Sequence, residues 1–517
     1  MPTLQKKPSD REANQPSARK LLAVSVLSGG LLILAFPRFY IFPLAWVGLI
    51  PWLVLLPKLN YRQAALSGFS LGLVFFAGLL SWVAIFGYLP WLLLSAGEAF
   101  FVLLTGMGVW LLRTRPAIWR IIGTASLWTI FEWLRGQGTF GFPWGMLGHS
   151  QSPWIALIQI VSFTGVPGLT FLLVLHNAAW AEFFQWREKP CLTRIRYPLV
   201  IGVLAGTVLL AGGLLDRLEL GGKIKVAVVQ PSYREPGWED VREGWPEIDV
   251  TRYLEILDIL IRAAAAEKPD LIILPESALP LALNQEAWLQ VWVGDRARES
   301  AAWVLLGAIY QNRQEYNSAY LVSPQGKVAG RYDKVQLVPF GEYVPGRNWL
   351  PGLQYYPIRE EDLTSGKEFS LLAAGPSHLG VSICFESIFP AISRSAVKQG
   401  ANLLVVITND GWFKRTAASA QHQQIAVFRA VENRRWLARA TTTGISCFIS
   451  PQGRVKQELS LYKQGVLEEE IVISERNTIF SRYGDWCIIL AGLFAALSLA
   501  KKGVLRPNSK SGAQDEG

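Results

Sequence analysis

Hydrophobic positions fall into two regimes along this chain. Up to residue 220 they form long runs broken only by short polar stretches, at 21–36, 39–57, 64–86, 89–112, 118–135, 160–185 and 198–215, and one more, Trp486–Ala500, lies near the end. A helix needs roughly 20 apolar residues to cross the hydrocarbon of a bilayer. The pattern therefore predicts seven spanning helices and, much later, an eighth. No small-residue cleavage site follows the first run, so it reads as a retained span rather than a signal peptide.

Residues 223–473 follow a different rule. Short apolar, β-branched runs at Lys225–Gln230, Asp270–Pro275, Ala302–Ile309, Ser318–Ser323, Leu379–Cys384, Leu403–Thr408 and Ile445–Ser450 alternate with helical periodicity at Val250–Ala266, Glu286–Arg298, Ser387–Gln399 and Ala417–Asn433. Alternation of this kind predicts helices layered on a buried sheet. The expected fold class is a multi-span α-helical membrane bundle plus an α/β soluble domain. Expected boundaries are a disordered cytoplasmic tail at 1–20, the seven-span domain at 21–220, the α/β domain at 221–475, the eighth helix at 484–501 and a cytoplasmic tail at 502–517.

Composition agrees with a membrane portion: of 517 residues 51% are hydrophobic, with 21 Trp and 25 Phe, too apolar for a purely soluble chain. The net charge of +10 raises nucleic acid as a partner. The bases, however, sit between the apolar runs, at Lys58 and Arg62, at Arg113, Arg115 and Arg120, at Arg187, Lys189, Arg194 and Arg196, and at Lys501, Lys502 and Arg506. With a cytoplasmic N-terminus these are the inside loops, and the outside connections hold little beyond Arg38 and Arg135. The charge is thus a topology signal, nucleic acid loses its support, and the α/β domain is expected on the far face with both termini cytoplasmic. Glu98 and Glu132 are acidic residues within the spans, with Arg135 or a loop base as candidate partner. The four cysteines, Cys191, Cys384, Cys447 and Cys487, have neither CxxC spacing nor nearby histidines, so no disulfide framework, metal site or cofactor is expected.

Three strand ends carry the candidate chemistry. Leu271–Pro275 delivers Glu276, the stretch from Arg331 delivers Lys334 and then Glu342, and Leu379–Ile383 delivers Cys384 ahead of a helical pattern. A thiol nucleophile needs a base for its proton and a cation or amides for the oxyanion formed on a carbonyl. A helix N-terminus beside the sulfur favours thiolate. Each residue also has a plainer reading: a buried structural cysteine, a helix-terminal carboxylate, a surface lysine, and salt-bridge partners in Glu342 and Glu386.

Pro275-Glu276, Tyr332-Asp-Lys334, Cys384-Phe-Glu386 and Asn409-Asp-Gly-Trp412-Phe413 together resemble the nitrilase superfamily, with its Glu-Lys-Cys triad on an αββα sandwich. Such a domain set between seven spans and one, with Val338-Pro-Phe-Gly-Glu-Tyr-Val-Pro345 in the lysine loop, resembles the apolipoprotein N-acyltransferase family. That resemblance implies Glu276 as general base, Lys334 as stabiliser of the tetrahedral intermediate, Cys384 as acyl-accepting nucleophile, Glu342 and Glu386 as supporting carboxylates, and Trp238 as a substrate-loop residue. Phe385 stands where relatives often carry Tyr. Asn409, Trp412 and Phe413 are implied as walls of the site, and His149 and His422 as structural, since the triad requires no imidazole.

The implied reaction passes an acyl chain from a membrane phospholipid, through a thioester on Cys384, to the α-amine of a diacylglyceryl-cysteine on an apolipoprotein, in a bacterial inner membrane and by a monomer. Phe140, Phe142, Trp144, Trp154, Trp238, Trp349, Trp412 and Phe413 are candidates for a lateral entrance, or for interfacial belts. A membrane-anchored amidohydrolase is the nearest alternative, and a transporter or scaffold with a silent nitrilase-like domain the more distant one.

Overall fold

The computed structural model describes residues 16–185, 190–215, 221–232, 250–347 and 362–500. The expectations for Trp238, Trp349, the loop bases Arg187, Lys189, Lys501, Lys502 and Arg506, and most of both tails lie outside the described residues.

The apolar runs become helices α1 (Ala18–Leu34), α2 (Tyr61–Leu79), α3 (Tyr88–Leu111), α4 (Ala117–Leu134), α5 (Val161–Gln185) and α6 (Cys191–Leu215). The run 39–57 is not one helix. Pro43 and Pro51 each begin a new short element, Phe42–Trp46 and Ile50–Leu55, because proline fits the first turn of a helix and not its interior. Four described helices are long and apolar enough to cross a membrane, at Tyr61–Leu79, Tyr88–Thr114, Val161–Gln185 and Cys191–Leu214. Leu93, Phe100, Leu199, Val203 and Leu210 stand exposed on them, a surface that water disfavours and lipid does not. Helices α2 and α3 approach closely through glycine: a Cβ on Gly68 would lie 2.6 Å from the Val102 carbonyl oxygen.

The second half is an αββα sandwich. The strands are β1 (Gly222–Gln230), β2 (Leu271–Ile273), β3 (Trp303–Gln311), β4 (Glu315–Val322), β5 (Val328–Asp333), β6 (Leu372–Ala374), β7 (Ser377–Ile383), β8 (Leu403–Thr408), β9 (Leu437–Thr441), β10 (Ser446–Ile449), β11 (Val455–Leu459) and β12 (Gly465–Ile473). They form two six-stranded sheets, ordered β12-β1-β2-β3-β4-β5 and β11-β10-β9-β8-β7-β6. In each sheet three central strands run parallel, β1 to β3 and β7 to β9, and the outer pairings are antiparallel.

Strand β8 shows why the sequence reads as it does. Its residues Leu403, Val405 and Ile407 face the other sheet, where Val226, Val228, Ile273 and Leu305 meet them. The intervening Leu404 and Val406 face the outer helices. A strand covered on both faces needs an unbroken apolar run. Helices α7 (Val250–Ala265) and α8 (Ala287–Ser300) cover the first sheet, and α9 (Pro390–Lys398) and α10 (Ala418–Asn433) the second. The chain ends through α11 (Ile479–Tyr483) and α12 (Trp486–Leu499), the latter packed on α4.

Helix α10 joins the two halves. It is buried along nearly its whole length although its sequence, ASAQHQQIAVFRAVEN, is largely polar. Buried polar groups need partners, and here both halves supply them. Gln421 donates to the carbonyls of Pro37 and Leu79 and accepts from the Trp144 indole, while Gln424 donates to Ser152. In return Glu432 accepts the Val166 amide at 3.3 Å, where α5 restarts after its break at Gly165, φ +66°.

Candidate active site

The parallel strands of both sheets end on one side of the sandwich, and there the three expected groups converge. Glu276 follows β2 and is buried. Gly307 on β3 permits its approach, since a Cβ there would lie 2.6 Å from the Glu276 Cα. Lys334 follows β5 and is 1% exposed. Its Nζ stands 2.8 Å from Glu342 Oε1 and 3.6 Å from Glu276 Oε1. Burial works against the ammonium charge, but Glu342, Glu276 and Cys384 more than offset it, so the proton is held more tightly than on a free lysine.

Cys384 ends β7 with φ +52°. A non-glycine residue in that region carries roughly 1–3 kcal/mol of strain, and Ser277 beside Glu276 (φ +51°) and Phe340 in the lysine loop (φ +60°) share it. Burial and the Glu276 carboxylate push the Cys384 thiol up, with Lys334 and the Thr408 hydroxyl opposing. This corrects the expectation that a helix N-terminus favours thiolate. Cys384 opens a short 3-10 turn, Cys384–Ile388, and α9 starts only at Pro390, too far along the chain for its end to face the sulfur.

The two supporting carboxylates hold different things. Glu342 accepts Lys334 Nζ on Oε1 and the Val338 amide, at 2.8 Å, on Oε2. Glu386, fully buried, accepts from the Tyr332 hydroxyl (2.8 Å) and the Val335 and Gln336 amides (2.7 and 3.2 Å) with one oxygen and from the Ile383 amide (2.8 Å) with the other. It therefore ties the lysine loop to the nucleophile turn. Burial pushes it up to about 7, opposed by the Ile383 amide, Lys334 and Tyr332.

The family model described as apolipoprotein N-acyltransferase N-terminal domain matches residues 28–179, and that described as carbon-nitrogen hydrolase matches 225–478. An apolipoprotein N-acyltransferase of Geobacter metallireducens is 36% identical over 509 residues, which is 94% of this chain and 96% of its own length. The chain belongs to the apolipoprotein N-acyltransferase family. A further member of that family, from Thermotoga maritima, is 32% identical over 380 residues, covering 72% of this chain and 69% of its own.

In this apolipoprotein N-acyltransferase family member the remaining expected residues divide. Phe385 stacks on Phe142 of the loop between α4 and α5, centroids 6.1 Å apart, and Phe142 stacks on Trp144 at 5.8 Å. Phe413 meets Trp82 at 4.8 Å and Trp144 at 6.2 Å. These rings, contributed by both halves, form one cluster that includes Phe385, the residue after Cys384. Trp412 is partly exposed, Phe140 is exposed, and Trp154 packs with Phe42 and Trp46 instead. Asn409 contributes through its backbone, whose amide donates to Glu276 Oε2 at 2.7 Å. Glu98 pairs with Arg135 at 2.9 Å, and Arg135 also donates to the carbonyls of Phe142 and Trp144. Glu132 accepts from Thr170 and the Leu147 amide.

Asn317 was missed from the sequence. On β4 its Nδ2 donates to Glu276 Oε1 at 2.8 Å and to Glu342 Oε1 at 3.0 Å, spanning both carboxylates that flank Lys334. Asparagine is depleted from strands, so an Asn inside Glu315–Val322 was an available signal.

Proposed function

We propose that this chain transfers an acyl chain from a membrane phospholipid to the N-terminal α-amine of a diacylglyceryl-cysteine on an apolipoprotein, completing lipoprotein maturation, with Cys384 as the carrier. The observation that carries this reading is a buried lysine set between two carboxylates beside a cysteine in a left-handed backbone conformation, whose neighbour Phe385 stacks on Phe142 of the membrane half.

In the first half-reaction Glu276 takes the thiol proton as the sulfur attacks the ester carbonyl. Lys334 and nearby amides stabilise the oxyanion. Collapse breaks the ester C–O bond, and the departing lysophospholipid oxygen takes the proton from Glu276. In the second half the amine attacks the thioester, Glu276 accepts its proton, the C–S bond breaks and the sulfur is reprotonated, leaving an amide. The elevated thiol suits this order, since base and nucleophile must act together.

The charge pattern and the lipid-facing surface support an eight-span arrangement with both termini cytoplasmic and the site on the outer face of a bacterial inner membrane. Drawing an acyl chain into water costs about 0.8 kcal/mol per methylene, which a site beside the bilayer avoids. The test is incubation of purified protein with acyl-labelled phospholipid. A hydroxylamine-labile label on Cys384, absent from Cys384→Ala and passed to a diacylated lipopeptide, is expected. Full transfer by Cys384→Ala sinks the mechanism.

A further inference from the structure

His422 lies at the back of the nucleophile turn, and none of the steps above uses it. It is 1% exposed on α10, with the Trp144 ring 5.5 Å and the Phe413 ring 6.3 Å away. Its Nε2 is 2.7 Å from Ser387 Oγ, and Ser387 Oγ is 2.8 Å from the Cys384 carbonyl oxygen. On its other side Nδ1 is 3.0 Å from Arg439 Nη2 and 3.1 Å from Asp410 Oδ1. Asp410 also receives Arg439 Nη2 at 2.8 Å and the Thr408 hydroxyl at 3.1 Å. Ser387, Asp410 and Arg439 are all 2% exposed or less.

The proton arrangement follows from what each group can do. Arginine only donates, so an Nδ1 3.0 Å from Arg439 Nη2 accepts, and Ser387, whose one hydrogen goes to the Cys384 carbonyl, meets Nε2 as an acceptor. The imidazole hydrogen then sits on Nε2 and points to Ser387 Oγ. Burial and the Arg439 charge push His422 down, opposed by Asp410, which keeps the ring neutral and this order intact at neutral pH. Although burial opposes its charge, Asp410 is held well below the usual carboxylate range chiefly by Arg439, so the anchor stays ionised.

We propose that Arg439, His422 and Ser387 form a one-directional hydrogen-bond chain that ends on the Cys384 carbonyl and holds the nucleophile in its left-handed backbone conformation, making His422 and Ser387 positioning residues for acyl transfer. The same carboxylate, Asp410, adjoins Asn409, whose amide orients Glu276. The chain thus fixes sulfur and base relative to one another from behind.

This inference rests on Cys384 being the acyl carrier, and the experiment separates the two. The full-length protein in lipid nanodiscs is given labelled phospholipid, and thioester formation on Cys384 is followed in a single turnover over a range of lipid concentration. Misplacement of a reacting group by about 1 Å costs up to about 100-fold, so Ser387→Ala and His422→Leu are each expected to slow the maximal rate by about 10- to 100-fold with KM and melting temperature little changed. The double variant is expected to be no slower than the slower single, because both break one chain. His422→Gln, which keeps an N–H at the Nε2 position, is expected to recover most of the rate. Wild-type speed in Ser387→Ala, or losses that multiply in the double variant, overturn the proposal. If His422→Leu does not fold, Ser387→Ala, which deletes one buried hydroxyl, decides alone. Absence of any Cys384 thioester in the wild type instead defeats the functional reading.

Discussion

Replacing Glu342 by glutamine tests how the lysine is shared between its two carboxylates. Lys334 Nζ is 2.8 Å from Glu342 and 3.6 Å from Glu276. At an effective dielectric of about 20 these separations correspond to attractions of about 6 and about 5 kcal/mol. Glu342 is therefore the tighter partner, and it keeps the ammonium off the oxygen that must accept the thiol proton. In Glu342→Gln the lysine closes on Glu276 until it makes direct contact. That closer approach adds roughly 1 kcal/mol of attraction to the Glu276 carboxylate. The lysine also leaves the place where the oxyanion forms, and one misplaced donor costs about 3 kcal/mol. Thioester formation on Cys384 in a single turnover is expected to slow by about 100- to 1000-fold, with the affinity for phospholipid retained. A Glu342→Gln protein that acylates at the wild-type rate, or one whose loss lies wholly in KM, refutes the claim that Glu342 sets the lysine's position.

Other perturbations read neighbouring parts of the same network. Asn317→Leu removes the amide shared by Glu276 and Glu342 and is expected to cost about 2 kcal/mol of stability, as hydrogen bonds to charged groups do, together with a slower acylation step, checked by thermal unfolding and the thioester assay. Arg135→Met leaves Glu98 buried and unpaired, so it is expected to destabilise by about 3–5 kcal/mol, whereas Glu98→Leu with Arg135→Met costs less; melting curves in detergent that rank the double variant below the single contradict this. Glu386 titrates near 7 when folded against 4.5 ordinarily. An acid whose affinity for its proton rises on folding favours the folded state below about pH 4.5 and loses that contribution, up to about 3 kcal/mol, as pH climbs through 7. Glu386→Gln is therefore expected to flatten the fall in melting temperature between pH 5 and 8, and an unaltered slope counts against the assignment.

How much of this was legible in the sequence depended on whether one element or several decided a residue's surroundings. Glu276 and Cys384 could be read because each ends its own apolar strand, and a strand end is a local property, whereas Lys334 follows the mixed, half-exposed strand β5 and was read from its motif. Strands β2, β8 and β10 were legible for the same reason, being covered on both faces. Strand β11 was not, because VKQEL is almost wholly exposed and carries no burial signal. Strand β9 was hidden by Arg439, whose charge contradicts a core position until Asp410 is placed beside it. His422 read as structural, and its burial agrees, yet its link to Cys384 through Ser387 requires two chain segments that sequence does not bring together. The thiolate expectation failed because it let the helical spacing start at Ser387, whereas α9 starts at Pro390, and because burial beside Glu276 raises the thiol.

Helix α10 shows that the membrane half is built into the α/β domain rather than merely tethered to it. An anchor needs only to hold the domain near lipid, and a polar helix on the outer layer of a free αββα sandwich would show its polar face to water. Here that face is buried against the bundle, with Gln421 fixed to backbone carbonyls of the segment after α1 and of the last residue of α2, and to Trp144. Trp144 belongs to the loop whose carbonyls Arg135 grips, and Phe142 of that loop stacks on Phe385, the residue after the nucleophile. Moving the bundle would exchange these hydrogen bonds for water, at a cost of about 0.5–1.5 kcal/mol each. The ring cluster that includes Phe385 is consequently set by charges placed inside the membrane half, and a soluble version of the domain would lose both that cluster and the burial of α10.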